Sequence, residues 1–236
     1  MNKTYKDYTN MNFKKTALSL SLLAAIATSG MANAGKSQFT VKVDGMIIPA
    51  SCDIGKGVSS TSIKLGKLIA DNLNVTKETI LPVSKLQIRI DCPSATAVAI
   101  QPTDVAEKAG QVFYMGMQVP EIFSLGATSD GAVIGGYMVK LDTDSTNVDQ
   151  VGVNNFIVAP VGSNVWSTFD NASRLISGTG QKMYSWTTGD KSNAPVMGKS
   201  HTIGLEFSPF ISPASKLKTS ERIDIKGEAT YDLVYL

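Results

Sequence analysis

Few side chains in this sequence are equipped for chemistry. His201 is the only histidine, and a Ser-His-Asp triad would have to use it; it opens an apolar alternating stretch, where a strand-edge histidine is the simpler reading. Asp142-Thr143-Asp144-Ser145-Thr146 has the D-x-D-x-T form used in phosphoryl transfer by certain α/β hydrolases. Those enzymes place the aspartates at the end of a parallel sheet with crossover helices, and this sequence lacks such helices. Read as a calcium loop, the same run has Asn147 and Val153 where glycine and glutamate are required. A polar turn after a strand ending at Leu141 accounts for it. Ser215-Lys216-Leu217-Lys218 satisfies S-x-x-K without its partner motifs. Gly178-Thr179-Gly180 lacks the third glycine and the helix of a dinucleotide site. Trp166, Tyr184 and Trp186 could line a sugar-binding surface or simply fill a core. One histidine and two cysteines offer no zinc set. No enzyme emerges, no catalytic, cofactor or metal residue is assigned, and no cofactor is expected.

The remaining reactive pair is Cys52 and Cys92, and its chemistry depends on compartment. From Met11 the sequence has a basic start (Lys14, Lys15), an apolar stretch over 16–27 and an Ala32-Asn33-Ala34 cleavage site. These are the three parts of a secretory signal peptide in order. The apolar stretch is shorter than the ~20 residues of a spanning helix. Residues 1–34 are read as the signal region, with 1–10 an extra extension, and the mature chain as starting at Gly35. Without the leader, 18 basic and 19 acidic residues remain, so no basic excess points to nucleic acid. In an exported protein an even cysteine pair reads as a disulfide, the alternative being two buried thiols. Cys52 shares a register with Met46, Ile48, Ala50 and Ile54, and Cys92 with Leu86, Ile88 and Ile90. Each cysteine thus falls on the apolar side of its own strand. Closing a loop of about 40 residues contributes roughly 4 kcal/mol.

The elements that carry these residues are strands. Period-two patterns and Gly, Pro, Asn and Asp clusters predict strands over 39–43, 45–53, 61–65, 86–91, 97–101, 111–117, 133–141, 151–158, 201–208 and 223–235. A short helix is expected around 162–175, where Val165, Phe169 and Ala172 lie at helical spacing. Ten short strands in 202 residues fit one all-β sandwich with long loops. The final stretch alternates Ala229, Tyr231, Leu233 and Tyr235 against Glu228, Thr230 and Asp232, and ends on Leu236 with no polar tail.

Taken in order, several short motifs carry a resemblance. They are the alternating Ser37, Phe39, Val41, Val43; Gly45-Met46-Ile47-Ile48-Pro49-Ala50-Ser51-Cys52; the second cysteine 40 residues on; Phe123-Ser124-Leu125-Gly126; Ile134-Gly135-Gly136-Tyr137; Ser185-Trp186; and Leu233-Val234-Tyr235-Leu236. The chain resembles the chaperone–usher fimbrial subunits of Gram-negative bacteria, more closely a larger, little-characterised branch ending in LVYL. Two positions differ from that pattern: ten residues separate the cleavage site from Gly45, and Ile223 stands where the family has a glycine.

The resemblance implies an immunoglobulin-like β-sandwich lacking its last strand, over 45–236, preceded by a donor-strand segment at 35–44. It implies a groove bordered by the closing strand, with Ala229, Tyr231, Leu233, Tyr235 and Leu236 as the surface for a chaperone strand. Ser37, Phe39, Val41 and Val43 would be the donor residues. The implied partners are a periplasmic pilus chaperone, which holds the terminal carboxylate at a basic site, an outer-membrane usher and neighbouring fimbrial subunits. The function expected is a structural fimbrial subunit, exported through the periplasm to the cell surface and contributing to adhesion. Alternatives are a fimbrial adhesin or carbohydrate-binding module reading a host glycan or receptor through loops at 126–130 or 166–186, and a secreted hydrolase.

Overall fold

A computed structural model describes residues 42, 51–55, 61–106, 111–169, 173–189 and 193–236. The chain falls into two compact units, Met1–Met46 and Ile47–Leu236, and the architecture below is that of the second. The predicted strand over 39–43 and most of that over 45–53 lie outside the described residues.

The second unit is all-β. Its strands are β1 (Asp53–Ile54), β2 (Thr79–Ile80), β3 (Ser84–Asp104), β4 (Ile122–Ser124), β5 (Gly135–Val148), β6 (Val151–Gly152), β7 (Asn155–Pro160), β8 (Ser167–Thr168), β9 (Lys182–Thr187), β10 (Met197–Ile211) and β11 (Ala229–Tyr235). The long β3 belongs to two layers. Its first half pairs antiparallel with β10, from Phe207↔Ser84 to Ser200↔Asp91, and β10 continues to β5 and β4. Its second half pairs with β11 on one side and β9 on the other, and β9 continues to β7 and β8. The two predicted strands over 86–91 and 97–101 are therefore one bent strand. The bend lies where β3 has four residues, Cys92 to Ala95, between the paired Asp91 and Thr96, against the single Lys199 of β10 between Ser200 and Gly198. Pro93 falls inside this bulge, where its missing N–H costs no ladder bond.

A second bulge redraws the acidic run. β5 does not end at Leu141; it continues to Val148, with Asp142 opposite Gly204 and Asn147 opposite Thr202. The surplus residues are held by Ser145 Oγ donating to Asp142 (2.7 Å) and Thr146 Oγ1 donating to the Asp142 carbonyl (2.5 Å). Gly204 is required there, since a Cβ would overlap Ser145 Oγ. The short side chains of 143–146 thus build a bulge rather than a turn.

Between the layers lies one main core, including Val98, Val139, Leu141, Phe156, Trp186, Ile203 and Leu205, all 0–1% exposed. A smaller cluster of Ala99, Ala159 and Met183 packs with Trp166 and Val234.

Other expectations change. The described residues contain no α-helix: Ser167–Thr168 pairs with β7, Val165 is 78% exposed, and Gly162 takes a left-handed φ of 79°. Gln111 to Met117 is not a strand but a tight hairpin, Tyr114 and Met117 exchanging both main-chain bonds around Met115 (φ 51°) and Gly116 (φ 77°). Among the described residues, 61–65 pair with no strand. The predicted strand over 223–235 begins only at Ala229.

Candidate functional site

The cysteines are joined. Cys52 and Cys92 form a disulfide (S–S 2.07 Å, Cα–Cα 4.2 Å) that ties the two-residue β1 to β3. Gly55 N–H adds a bond to the Arg89 carbonyl (2.7 Å). Beside this staple, the Cys52 N–H donates to the Tyr235 hydroxyl (2.9 Å). Tyr235 closes β11, so the edge strand of one layer touches the edge strand of the other.

Behind that contact the layers do not close. A cleft of about 40 Å³ is lined by Ile54 of β1, Ile88, Ile90 and Ile100 of β3, Ile203 and Leu205 of β10, and Tyr231 and Leu233 of β11. Seven of the eight side chains are pure hydrocarbon. The exception, Tyr231, buries its hydroxyl with no hydrogen-bond partner among the described residues. Burial, with Tyr137 and Asp104 adding to it, pushes its ionisation well above the ordinary tyrosine value, so the oxygen keeps its proton. An unpaired buried hydroxyl costs about 1–3 kcal/mol.

β11 borders this cleft with a free edge. Among the described residues its sole ladder is with β3, in the register Ala229↔Asp104 to Tyr235↔Val98. Leu236 N–H reaches the Ala97 carbonyl (3.0 Å), and the Glu228 carbonyl accepts from Val105 N–H (3.1 Å). Antiparallel ladders alternate, so the even-numbered residues between them face β3 with their main chains. The N–H and C=O groups of Ala229, Tyr231, Leu233 and Tyr235 point away from it. The side chains of the first three are half-buried against the main core, while Tyr235 and Leu236 are 44% and 46% exposed. One register therefore carries both the inward side chains and the unpaired main-chain groups.

A second stretch shares this character. Ile63, Leu65 and Leu68 are half-buried against the same core, while residues 61–68 make no hydrogen bond among the described residues. Ile223 and Ile225 also pack there, with the Lys226 N–H on the Leu125 carbonyl (3.0 Å). Extended chain with apolar side chains inward and an open main chain is what an unfilled sheet edge looks like.

The other sequence candidates lie elsewhere. Ser37, Phe39, Val41 and Val43 are outside the described residues. His201 is not at a strand edge: it is fully buried in β10 between two neighbours. Its Nδ1 accepts from Trp186 Nε1–H (3.2 Å), and its Nε2 lies 3.0 Å from the Thr96 carbonyl and 3.1 Å from that of Gly198. That pattern fixes a neutral ring with its hydrogen on Nε2. Desolvation lowers its proton affinity, against the pull of the two carbonyls and Asp149. Trp186 and Tyr184 are core residues, and burial raises the Tyr184 hydroxyl to about 12. Partial burial opposes the charge of Asp142, yet Ser145, the Asp144 N–H and Lys85 outweigh it and hold the carboxyl below its usual range. No group of three or more potential metal-ligating His, Cys, Asp or Glu side chains occurs among the described residues. A larger cavity of about 340 Å³, lined by Gln111, Gln118, Pro120 and Thr179 among others, lies apart from the cleft.

Sequence reasoning does not assign Ile54, Ile203 or Leu205 to this site, because the cleft is made by tertiary packing across the layers. The available signal is the shared register of Cys52 with Ile54.

No protein-family model matches the chain, and no curated protein matches it. Among solved structures it is similar to the P pilus rod subunit PapA, at 14% identity and a TM-score of 0.34 over 84% of this chain and all of that one.

Proposed function

We propose that this protein is a structural subunit of a surface fimbria, exported to the periplasm and joined to its neighbours by donor-strand exchange. The observation that carries this reading is the edge of β11, where the main-chain groups of Ala229, Tyr231, Leu233 and Tyr235 point away from β3 with no ladder partner among the described residues, beside an aliphatic cleft. An added β-strand supplies what that edge lacks: ladder partners for the main chain and alternating side chains for the cleft. Each large apolar side chain buried contributes about 1.5–3 kcal/mol, so four donor residues and a ladder make a durable non-covalent joint. A periplasmic chaperone would fill the edge first. The segment 35–44 of the next subunit, with Ser37, Phe39, Val41 and Val43 inward, would then replace it at the outer-membrane usher. No bond-breaking chemistry is needed in such an exchange.

Two variants separate capture from assembly. Tyr235→Ser removes the hydroxyl that holds the Cys52 N–H and the ring at the cleft rim; it is expected to abolish co-purification with the cognate chaperone from periplasm. Deleting residues 35–43 should leave that complex intact and stop polymerisation. Normal fibres from the deletion, or unchanged chaperone capture by Tyr235→Ser, would remove the reading.

A further inference from the structure

We propose that Tyr231 is a specificity-determining residue of the cleft, its hydroxyl selecting an incoming strand that carries a small hydroxyl side chain at the position facing it. This rests on the strand-docking reading above.

Tyr231 has the one polar side-chain atom in a lining otherwise composed of isoleucine and leucine. That atom is buried and unpartnered among the described residues, whereas buried polar atoms in folded proteins are nearly always paired. Phenylalanine would fill the same space without that penalty. The hydroxyl is protonated, so it can both donate and accept. A strand laid along β11 would run past the Tyr231 main chain, which faces away from β3, and would present alternate side chains to the cleft that Tyr231 lines. A serine or threonine arriving there completes the bond; a valine leaves the oxygen orphaned, and affinity falls accordingly.

The occupant we assign is residues 35–44 of a second copy. Within its inward register of Ser37, Phe39, Val41 and Val43, Ser37 is the one side chain able to make this bond. The complementary pair is therefore Tyr231 and Ser37.

A double-mutant cycle tests it. A synthetic peptide of residues 35–44, and its Ser37→Thr and Ser37→Val forms, are titrated against the full chain and its Tyr231→Phe variant. On a given protein the chain's own copy of the segment competes equally against all three peptides, so it cancels from the ratio of their affinities. The expected result is about a tenfold loss for Ser37→Val on the native chain, little change for Ser37→Thr, and no loss for Ser37→Val on Tyr231→Phe. Equal binding of all three peptides, or a Ser37→Val loss that persists in Tyr231→Phe, overturns the pairing while leaving strand docking in place. Failure of every peptide to bind either protein overturns strand docking, and the pairing with it.

Discussion

Two of the places where this sandwich buries an aromatic residue with a polar atom are built in opposite ways, the Trp186–His201 corner and the Tyr231 cleft. At the Trp186–His201 corner every nitrogen has a partner, so β3, β9 and β10 are pinned together with nothing left over. At the Tyr231 cleft the hydroxyl is unpaired among the described residues and the neighbouring strand edge is open. A satisfied polar network closes an interior and fixes its register; an unsatisfied one beside an open edge leaves bonds for a partner to make. The first corner therefore governs stability, and on the proposed reading the second governs association.

Perturbations of the closed corner, and of the disulfide that staples β1 to β3, should be the more damaging. Trp186→Ala removes a fully buried ring, about 3–5 kcal/mol, and also orphans His201 Nδ1; a urea midpoint shift of that size, or failure to fold, is expected. Replacing Cys52 and Cys92 together by serine frees a loop of about 40 residues and should cost roughly 4 kcal/mol. Part of that loss should appear at Tyr235, whose hydroxyl partner sits on Cys52.

Acid should loosen the closed corner next. In the unfolded chain histidine titrates at about pH 6.5, and burial lowers its proton affinity in the fold. The unfolded state then binds more protons between those two values. Stability is complete above about pH 6.5, declines by up to ~1.4 kcal/mol per pH unit below it, and levels off once the folded ring is protonated. Protonation also sets an Nδ1–H against the Trp186 N–H. Urea midpoints over roughly pH 7.5 to 5 should show this slope in the native chain and lose it in His201→Gln. The carboxylates of Asp142 and Asp149, held below their ordinary range, lose their contribution only at lower pH. The smallest effect belongs to the open site: Tyr231→Phe should leave the unfilled chain as stable as before or about 1 kcal/mol more so. A destabilisation above about 2 kcal/mol would show that the hydroxyl is paired after all.

How much is legible in the sequence follows from how local each feature is. Period-two runs mark β3, β5 and β10, and export context pairs the cysteines. The bends are not legible, because nothing local distinguishes Pro93 in a bulge from Pro93 in a loop, or Asp142–Ser145 in a bulge from a turn. The expected helix over 162–175 rests on three apolar residues at helical spacing, yet two of its described positions, 167 and 168, join β7, and Trp166 packs with Val234. β4 and β9 escape a periodicity reading, being short and flanked by glycine and proline. The burial of His201 depends on three separated segments, which no local pattern reveals. At the cleft the inward register of β11 can be read from alternation, but the hydrocarbon floor from β3 and β10 cannot.

Site-resolved amide hydrogen exchange along β11 tests the central claim most directly. In the full chain without a partner, Thr230, Asp232 and Val234, whose main chains face β3, should exchange slowly, while Ala229, Tyr231, Leu233 and Tyr235 exchange fast. Adding the chaperone or the peptide of residues 35–44 should slow those four. Uniform protection of all seven amides in the partner-free chain would mean that the edge is already paired, and would contradict the account.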